Sequence, residues 1–370
     1  MKFTCNSKDI AGAVAAASKV VNAHTTMPIL SNVLLTAKAG RVSVRATDLE
    51  LTLENGFPAT VTEEGSCTVQ ARLFSGYLAN LPAADLDMQG TASRATLKCE
   101  RSNYEFFALP ADEYPPLPEG KLGDQFRVDA KAFRDAAAAV TFAASGEEAR
   151  GAVLMGTLLE IDGAKLTMVA TDGYRLARVE LALAEPVRTP VKLIVPARAL
   201  SEVMRVANAG VIEATVLGGQ ANQLVFNTGD VKVIARLVDG QYPNYQQVIP
   251  KEFDRKVTAS TARLLSSLRR AEVVAGDRAS MVKLAVEGTS LVITASSDTA
   301  GNAYEELDVE RTGDPITIAF NAKYLAEILN HVDAETVSLE FVGPLQPTAI
   351  KPQSGDGAGR KLYILMPLRQ

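Results

Sequence analysis

Apolar residues recur at helical spacing in three segments that lie about 125 residues apart along the chain. Each segment opens with an alanine followed by a basic residue, and the openings are Ala71-Arg72, Ala197-Arg198 and Ala322-Lys323. The apolar residues that continue them at i, i+4 spacing are Phe74 and Leu78, Leu200 and Met204, and Leu325 and Leu329. The pattern therefore predicts a chain built from three similar units.

A further helix is predicted earlier in each unit, where a short strand ends at a residue that favours the N-cap position. The three N-cap residues are Asn6, Asp129 and Ser260, and the core-facing residues four positions later are Ile10, Phe133 and Leu264. Two helices per unit make six in all. They are predicted over residues 7–23, 72–80, 129–140, 196–206, 260–272 and 322–330.

Strand-like segments fill much of the remaining sequence and are separated by Gly, Asn and Asp turns. Clear examples are residues 42–46, 51–53, 165–169, 224–226 and 291–294. Many strands with few helices favour an α+β architecture, in which antiparallel sheets carry helices on one face. Two proline-containing stretches, 109–120 and 239–251, mark the domain boundaries. The predicted domains are residues 1–121, 122–252 and 253–370.

The composition is that of a soluble globular protein, with 47% hydrophobic and 22% charged residues. The sequence contains no apolar stretch of about 18 residues that would span a bilayer, and residues 1–9 lack the apolar core of a signal peptide. We therefore expect a cytoplasmic protein. Cys5, Cys67 and Cys99 are an odd number without metal-ligand spacing, so they are expected to be reduced residues of the core or of strands.

The formal net charge of −5 argues against a protein that covers its whole surface with nucleic acid. The six predicted helices nevertheless contain more Lys and Arg than Asp and Glu, whereas the rest of the chain is acidic. If the helices share one face, that face is basic and suits the DNA backbone. The alternative is that these residues decorate ordinary solvated helix faces, because Lys and Arg are good helix formers.

The usual signatures of catalysis are missing from the sequence, which has no Gly-rich phosphate loop, no Gly-x-Ser-x-Gly and no His-Glu-x-x-His. Its two histidines, His24 and His331, are expected to be solvated or helix-capping residues. Asp48 and Asp172 could form a catalytic pair, but they occupy equivalent strand ends, and turn formation explains them better. A binding protein without catalytic residues, metal ligands or a cofactor is therefore favoured over an enzyme.

Six short motifs stand in order along the chain, at residues 1–4, 26–32, 47–50, 170–177, 237–243 and 366–369. As an ordered set they resemble the bacterial DNA polymerase III β subunit family, the β sliding clamps. The resemblance covers essentially the whole chain. It implies three repeated clamp domains and a head-to-tail homodimer that closes a ring of six similar domains, with helices lining the inner face and antiparallel sheets outside. Such a ring encircles duplex DNA and makes the replicative polymerase processive, without catalysis of its own.

The resemblance also implies three sets of functional residues. A peptide-binding pocket between the middle and last domains would contain Leu154, Thr171, Gly173, Tyr174, Arg175, Leu176, Pro243, Val248, Tyr324, Leu345, Pro347, Ile364, Met366, Pro367 and Leu368. DNA-facing residues would be His24, Arg72, Lys131, Arg134, Arg150, Arg198, Arg205, Arg263 and Lys323, with Lys8 a further candidate. The dimer interface would contain Tyr104, Phe106, Val273 and Val274.

The partners implied by the resemblance are double-stranded DNA, a second copy of the chain, the polymerase III α subunit, the clamp loader, other polymerases, ligase and mismatch-repair proteins. Departures from the family pattern at Gln246, Gln247 and the terminal Gln370 leave open a specialised second clamp, for example one that tolerates an inhibitor. A repeat scaffold that binds only proteins and a hydrolase that uses Asp48 or Asp172 are further alternatives. Neither of these two explains the basic bias of the helices.

Overall fold

The computed structural model describes residues 1–22, 25–208, 210–219, 222–276, 280–355 and 359–369. Within these ranges the chain forms six α-helices and 26 β-strands. The helices are α1 (Ser7–Ser18), α2 (Ala71–Leu78), α3 (Ala130–Thr141), α4 (Ala197–Val206), α5 (Thr261–Ala275) and α6 (Ala322–Asn330). All six predicted helices are therefore confirmed, with differences at their ends.

Two helix ends differ from the prediction by several residues. Helix α1 stops at Ser18 instead of residue 23, because the N–H of Lys19 donates to the carbonyl of Ala16, the N–H of Val20 donates to the carbonyl of Ala17, and the chain then turns to bury Val20. Helix α5 continues past residue 272 and ends at Ala275, immediately before Gly276 with a φ of +68°.

The residues predicted to face the core at the helix starts are buried, and the N-cap residues differ in whether their side chains form a capping hydrogen bond. Ile10, Phe133 and Leu264 are all fully buried, as their spacing predicted. The side chain of Asn6 accepts a hydrogen bond of 3.1 Å from the N–H of Lys8 and so caps α1. Ser260 occupies the N-cap position of α5, but its side chain makes no capping hydrogen bond within the described residues. The predicted N-cap position of Ser260 is confirmed, without a capping bond from its side chain.

The strands pair in antiparallel fashion throughout the described sheets. In chain order they are β1 (Lys2–Asn6), β2 (Asn32–Lys38), β3 (Arg41–Thr47), β4 (Leu51–Pro58), β5 (Thr60–Glu63), β6 (Gly65–Gln70), β7 (Asp85–Gly90), β8 (Arg94–Cys99), β9 (Ser102–Phe107), β10 (Lys121–Asp129), β11 (Gly156–Asp162), β12 (Lys165–Thr171), β13 (Arg175–Ala182), β14 (Val191–Pro196), β15 (Val211–Gly218), β16 (Gln223–Thr228), β17 (Val231–Arg236), β18 (Arg255–Ser260), β19 (Met281–Glu287), β20 (Ser290–Ser297), β21 (Gly301–Asp308), β22 (Glu310–Thr312), β23 (Ile316–Asn321), β24 (Thr336–Phe341), β25 (Thr348–Pro352) and β26 (Lys361–Leu365). All of the predicted strand segments lie within these strands, and the predicted α+β class is confirmed.

The chain forms two compact units, each with its own sheets. The first unit contains residues 1–131 and 202–237, with a five-stranded sheet ordered β5-β1-β7-β8-β9 and an eight-stranded sheet ordered β10-β15-β16-β17-β4-β3-β2-β6. The second unit contains residues 132–201 and 238–370, with a nine-stranded sheet ordered β14-β11-β12-β13-β26-β25-β24-β18-β22 and a four-stranded sheet ordered β21-β20-β19-β23. The division into three domains remains a prediction.

Large apolar side chains from helices and sheets fill the core of each unit. Phe3 and Phe74 are buried in the first unit, and Phe320 and Phe341 are buried in the second. None of the described helices is long and apolar enough to cross a membrane.

The three cysteines are free and buried in strands of the first unit, as predicted. Burial raises the pKa of the Cys5 thiol and of the Cys67 thiol to about 12. Gly90 packs closely against Cys67, because a Cβ at position 90 would lie 2.5 Å from its Sγ atom.

Candidate functional site

A tightly bonded turn connects β12 to β13 in the second unit. One carboxylate oxygen of Asp172, Oδ1, accepts hydrogen bonds from the N–H groups of Tyr174 at 2.9 Å and Arg175 at 3.0 Å. The hydroxyl of Thr171 donates to the carbonyl of Arg175 at 2.6 Å, and Gly173 adopts the positive φ of +88° that the turn requires. The prediction that Asp172 forms a turn is confirmed.

The equivalent turn between β3 and β4 in the first unit is built in the same way. Oδ1 of Asp48 accepts from the N–H groups of Glu50 and Leu51, and the hydroxyl of Thr47 donates to the carbonyl of Leu51. Leu49 stands where the second unit has glycine and takes a φ of +77°. Asp48 is therefore a turn-forming residue as well.

Arg175 holds the turn of the second unit in place through its guanidinium group. Its side chain is only 8% exposed. Nε donates to Asp172 Oδ2 at 3.1 Å, Nη2 donates to the carbonyl of Phe142 at 2.8 Å, and Nη1 donates to Glu327 Oε2 at 2.5 Å. The same group lies 4.6 Å from the centre of the Tyr324 ring. Every nitrogen atom of the guanidinium thus has a partner inside the unit.

A cleft of about 160 Å³ opens beside this turn. Residues predicted to form the peptide pocket that line it are Leu154, Thr171, Gly173, Tyr174, Arg175, Leu176, Pro243, Val248, Ile364 and Met366. Predicted pocket residues that do not line it are Tyr324, Leu345, Pro347, Pro367 and Leu368. Tyr324 is half-buried, and its ring is stacked on that of Tyr174 with the two centroids 6.2 Å apart.

Two lining residues, Asn244 and Tyr245, were missed by the sequence analysis. They lie between Pro243 and Val248, two residues that were predicted to line the pocket. This position between two predicted lining residues was the signal that could have found them.

The C-terminal tail is attached to the same turn. Strand β26 pairs with β13, and beyond it the N–H of Met366 donates to the carbonyl of Tyr174 at 2.9 Å. The N–H of Leu368 donates to the carbonyl of Ala319 at 2.8 Å. These two bonds hold Met366 against the cleft.

Arg150, which was predicted to face DNA, lies at this turn and is half-buried. Its Nη1 donates to the carbonyl of Asp172 at 2.9 Å, its Nε pairs with Glu147 at 3.0 Å, and its guanidinium lies 4.6 Å from the centre of the Tyr174 ring. The structure therefore brings Arg150 together with the cleft residues.

The other predicted DNA-facing residues that the structure describes lie on helices. Those that are exposed are Arg72, Lys131, Arg198, Arg205, Arg263 and Lys323, and Lys8 is exposed too. Arg134 is half-buried, and His24 lies outside the described residues. Arg205 also bonds within the first unit, where it pairs with Glu202 and donates to the carbonyl of Ala16 at 2.9 Å.

Strand β9, which carries two of the predicted dimer-interface residues, forms one edge of the five-stranded sheet. Phe106 is only 6% exposed and packs against Phe74, whereas Phe107 is 84% exposed and was missed. Tyr104 is partly exposed and packs 4.7 Å from Tyr77. Strand alternation indicates that one of these two adjacent phenylalanines faces the core and the other faces away, but it does not indicate which one.

The remaining predicted interface residues lie near the end of α5 in the second unit. Val273 is exposed and Val274 is half-buried. In the same unit, β21 forms an edge of the four-stranded sheet.

His331 is the C-cap residue of α6, as predicted for a capping role. Its ring is stacked on that of Phe142, with the two centroids 4.1 Å apart, and its Nδ1 lies 2.8 Å from the carbonyl of Glu327. Its own carbonyl accepts a hydrogen bond from the Tyr363 hydroxyl.

Three family models match the chain in succession. They describe the N-terminal domain of the DNA polymerase III beta subunit over residues 1–118, the central domain over residues 127–244 and the C-terminal domain over residues 246–369. The chain therefore belongs to the DNA polymerase III beta subunit family, the beta sliding clamps, whose members are processivity factors and not enzymes. The predicted class, a DNA sliding clamp, is confirmed, and the family implies DNA, polymerase partners and dimerisation.

Similar proteins match over the full length of the chain. The beta sliding clamp of Synechococcus elongatus is 33% identical over 377 residues, covering 100% of this chain and 99% of the relative. That of Caulobacter vibrioides is 30% identical, with both chains fully covered. A crystal structure of a DnaN sliding clamp from Pseudomonas aeruginosa bound to griselimycin has a TM-score of 0.93 and 28% identity, also with both chains fully covered.

Proposed function

We propose that this chain forms a head-to-tail homodimeric ring that encircles duplex DNA and tethers the replicative polymerase to it. In this proposal each subunit contributes three domains, residues 1–121, 122–252 and 253–370, and the ring works in the cytoplasm. The observation that carries the proposal is the convergence of ten predicted pocket residues on one small cleft in the second unit.

The cleft suits a short peptide anchor better than a small metabolite. Its volume of about 160 Å³ is below the roughly 300–1,000 Å³ of typical small-molecule pockets. Leu176 and Ile364 belong to the buried apolar cluster beneath it, so an apolar side chain such as Leu or Phe would be desolvated on entry. We assign the fifteen predicted residues to this peptide site, with those outside the cleft placed along the peptide path or behind the wall.

Arg175 supports the pocket as a positioning residue. Its guanidinium is already bonded to Asp172, Glu327 and the carbonyl of Phe142, so it fixes the wall that an anchor would contact. A rigid wall lowers the cost of ordering the site when a peptide binds.

The exposed basic residues on the helices support DNA binding without sequence preference. Lys and Arg side chains on helices attract phosphates at any sequence, and the overall charge of −5 discourages DNA from wrapping the remaining surface. We assign the predicted DNA-facing set to this role, although the contacts of Arg150 favour a place at the peptide cleft.

Edge strands support the proposed dimer. Strand β9 presents the exposed Phe107 and the partly exposed Tyr104, and Val273 is exposed on α5. Pairing β9 of one copy with β21 of another would cover both edges and bury these apolar side chains. We propose that the predicted interface set, extended by Phe107, closes the ring.

The shared peptide pocket would serve several partners in turn. We propose the polymerase III α subunit, the clamp loader, other polymerases, ligase and mismatch-repair proteins, each bound through a short motif.

A fluorescent peptide with a Gln-x-x-Leu-Phe motif tests the pocket by anisotropy titration. Saturable binding is expected for the intact protein and for a control that lacks only Arg369 and Gln370. Removal of residues 366–370 is expected to abolish binding, because Met366 lines the cleft. Circular dichroism checks that both truncated proteins fold. Equal binding by the longer truncation, or no binding by the intact protein, would overturn the assigned site.

A further inference from the structure

A second groove of about 450 Å³ lies next to the peptide cleft in the second unit. It is lined by Leu158, Glu160, Lys192, Ile194 and residues 240–246. Pro243, Asn244 and Tyr245 line both the groove and the cleft. A peptide seated in the cleft therefore has a continuous path into the groove across these three residues.

Tyr245 forms the partition between the two depressions. Its side chain is buried in the cluster that includes Leu158 and Ile194 of the groove and Leu176 and Ile364 of the cleft. Its hydroxyl donates a hydrogen bond of 2.6 Å to Oε2 of Glu160. Because this side chain is held at both ends, the boundary between cleft and groove is a fixed feature.

The polar end of the groove presents an exposed cation. Glu160 has a side chain only 19% exposed, and its two oxygens are bonded to Tyr245 and, at 2.6 Å, to Lys192. Lys192 is 73% exposed, and Glu160 is the ion-pair partner found for it within the described part of the chain. An ammonium group has three N–H donors, so Lys192 has donors left for an incoming acceptor.

We propose that the groove binds the residues flanking the anchor of a partner peptide, and that an acidic side chain in that flank pairs with Lys192. This inference rests on the proposed peptide-binding function of the cleft. An acidic side chain would approach an exposed cation without disturbing the bond between Glu160 and Tyr245. A basic side chain would be repelled by Lys192 and would compete with it for Glu160.

The test compares anchor peptides that differ only in their flanks. The anchor alone is titrated against the intact protein, followed by anchors extended by three residues at either end, each carrying Glu, Gln or Lys. We expect the Glu flank at one end to bind about threefold to tenfold more tightly than the Gln flank at low salt. The Lys flank at that end is expected to bind more weakly than the Gln flank.

Matched variants locate the effect on the groove. Lys192→Ala should abolish the difference between Glu and Gln flanks, and Lys192→Arg should retain it. Lys165→Ala is the control, since Lys165 is an exposed lysine of the same unit outside the groove. Lys192→Glu should reverse the preference in favour of the Lys flank, a result that loss of folding would not produce.

Three results would overturn the inference. The groove assignment is refuted if the Glu and Gln flanks bind equally at both ends. It is also refuted if the preference for Glu survives Lys192→Ala. In both cases the cleft assignment stands as long as the anchor peptide itself binds. If the anchor alone does not bind the intact protein, the proposed function fails and this inference fails with it.

Discussion

Arg175 and Glu327 are joined by an ion pair of 2.5 Å between Nη1 and Oε2, although they are 152 residues apart in sequence. Arg175 begins β13 at the edge of the cleft, and Glu327 lies on α6. The pair therefore connects the wall of the proposed peptide site to the helix that carries Lys323.

Removing the Arg175 side chain should weaken both folding and peptide binding. Arg175→Ala leaves the carboxylate of Asp172, which is 7% exposed, without its charged partner, so we expect a loss of about 2–4 kcal/mol in the free energy of unfolding of the second unit. Glu327→Gln should cost about 1 kcal/mol or less, because the side chain of Glu327 is 42% exposed. Urea denaturation of each variant measures the loss in its free energy of unfolding. Equal losses for the two variants would contradict the assigned roles.

Charge reversal on the helices should weaken DNA association. We expect the double variant Arg72→Glu and Lys323→Glu to bind duplex DNA more weakly. The slope of log K against log salt should fall by about 0.9 for each phosphate that the variant no longer neutralises. Anisotropy titrations at several salt concentrations measure this slope. Lys38→Glu, at an exposed residue on β2, is the control. If the slope of log K against log salt is unchanged in the double variant, these two helices do not face DNA.

An acidic residue at position 107 should prevent dimerisation. Phe107→Asp places a charge on the edge strand β9, where the phenylalanine ring is 84% exposed in the single chain, so we expect monomers with a nearly unchanged melting temperature. Light scattering after size-exclusion chromatography gives the mass. Leu122→Asp, at another exposed apolar residue, should leave the dimer intact. A dimeric Phe107→Asp variant would place the interface elsewhere.

The ion pair of Glu160 should make a pH-dependent contribution to stability. Burial acts to raise the pKa of Glu160, but hydrogen bonds from Lys192 and Tyr245 outweigh it and lower that pKa below the ordinary value of 4.5. A carboxyl group with a lowered folded-state pKa stabilises the protein above its unfolded pKa, and this contribution is lost as pH falls through the folded pKa.

Glu160→Gln should therefore reduce the free energy of unfolding by about 1–2 kcal/mol near pH 7, with a smaller difference from the wild type below about pH 4. Urea denaturation across this range measures the difference. Glu63→Gln, at an exposed residue on β5, is the control. A Glu160→Gln difference that stays constant or grows on acidification would show that the carboxylate is not stabilised in the folded state.

The cysteines should be unreactive in the folded protein. The pKa values of Cys5 and Cys67 are raised to about 12 by burial, so almost no thiolate is present near pH 8. Burial raises the pKa of Cys99 too. We expect a colorimetric thiol reagent to react with all three cysteines in denaturant and very slowly in its absence. Rapid reaction of the native protein would contradict the burial of these residues.

The six helices, the antiparallel α+β class, the turn roles of Asp48 and Asp172, and the family could all be predicted from the sequence. These features depend on local spacing and on hydrogen bonds between residues a few positions apart, as in the cap formed by Asn6 on the N–H of Lys8. Ten residues that the family resemblance implied for a peptide pocket line one cleft, and all but Leu154, Val248 and Ile364 lie within the quoted motifs. That this cleft binds peptides stays a prediction.

Which distant side chains form ion pairs and hydrogen bonds, and which side chains are buried, depends on the tertiary structure. Arg175 is bonded to Glu327 and Arg150 to the Asp172 carbonyl because folding brings separate segments together, and sequence spacing does not report such contacts. Phe106 and Phe107 differ in burial because the packing of β9 against Phe74 selects which face of the strand is internal. Two adjacent phenylalanines carry no local signal of that choice, since strand alternation sets the period and tertiary packing sets the phase.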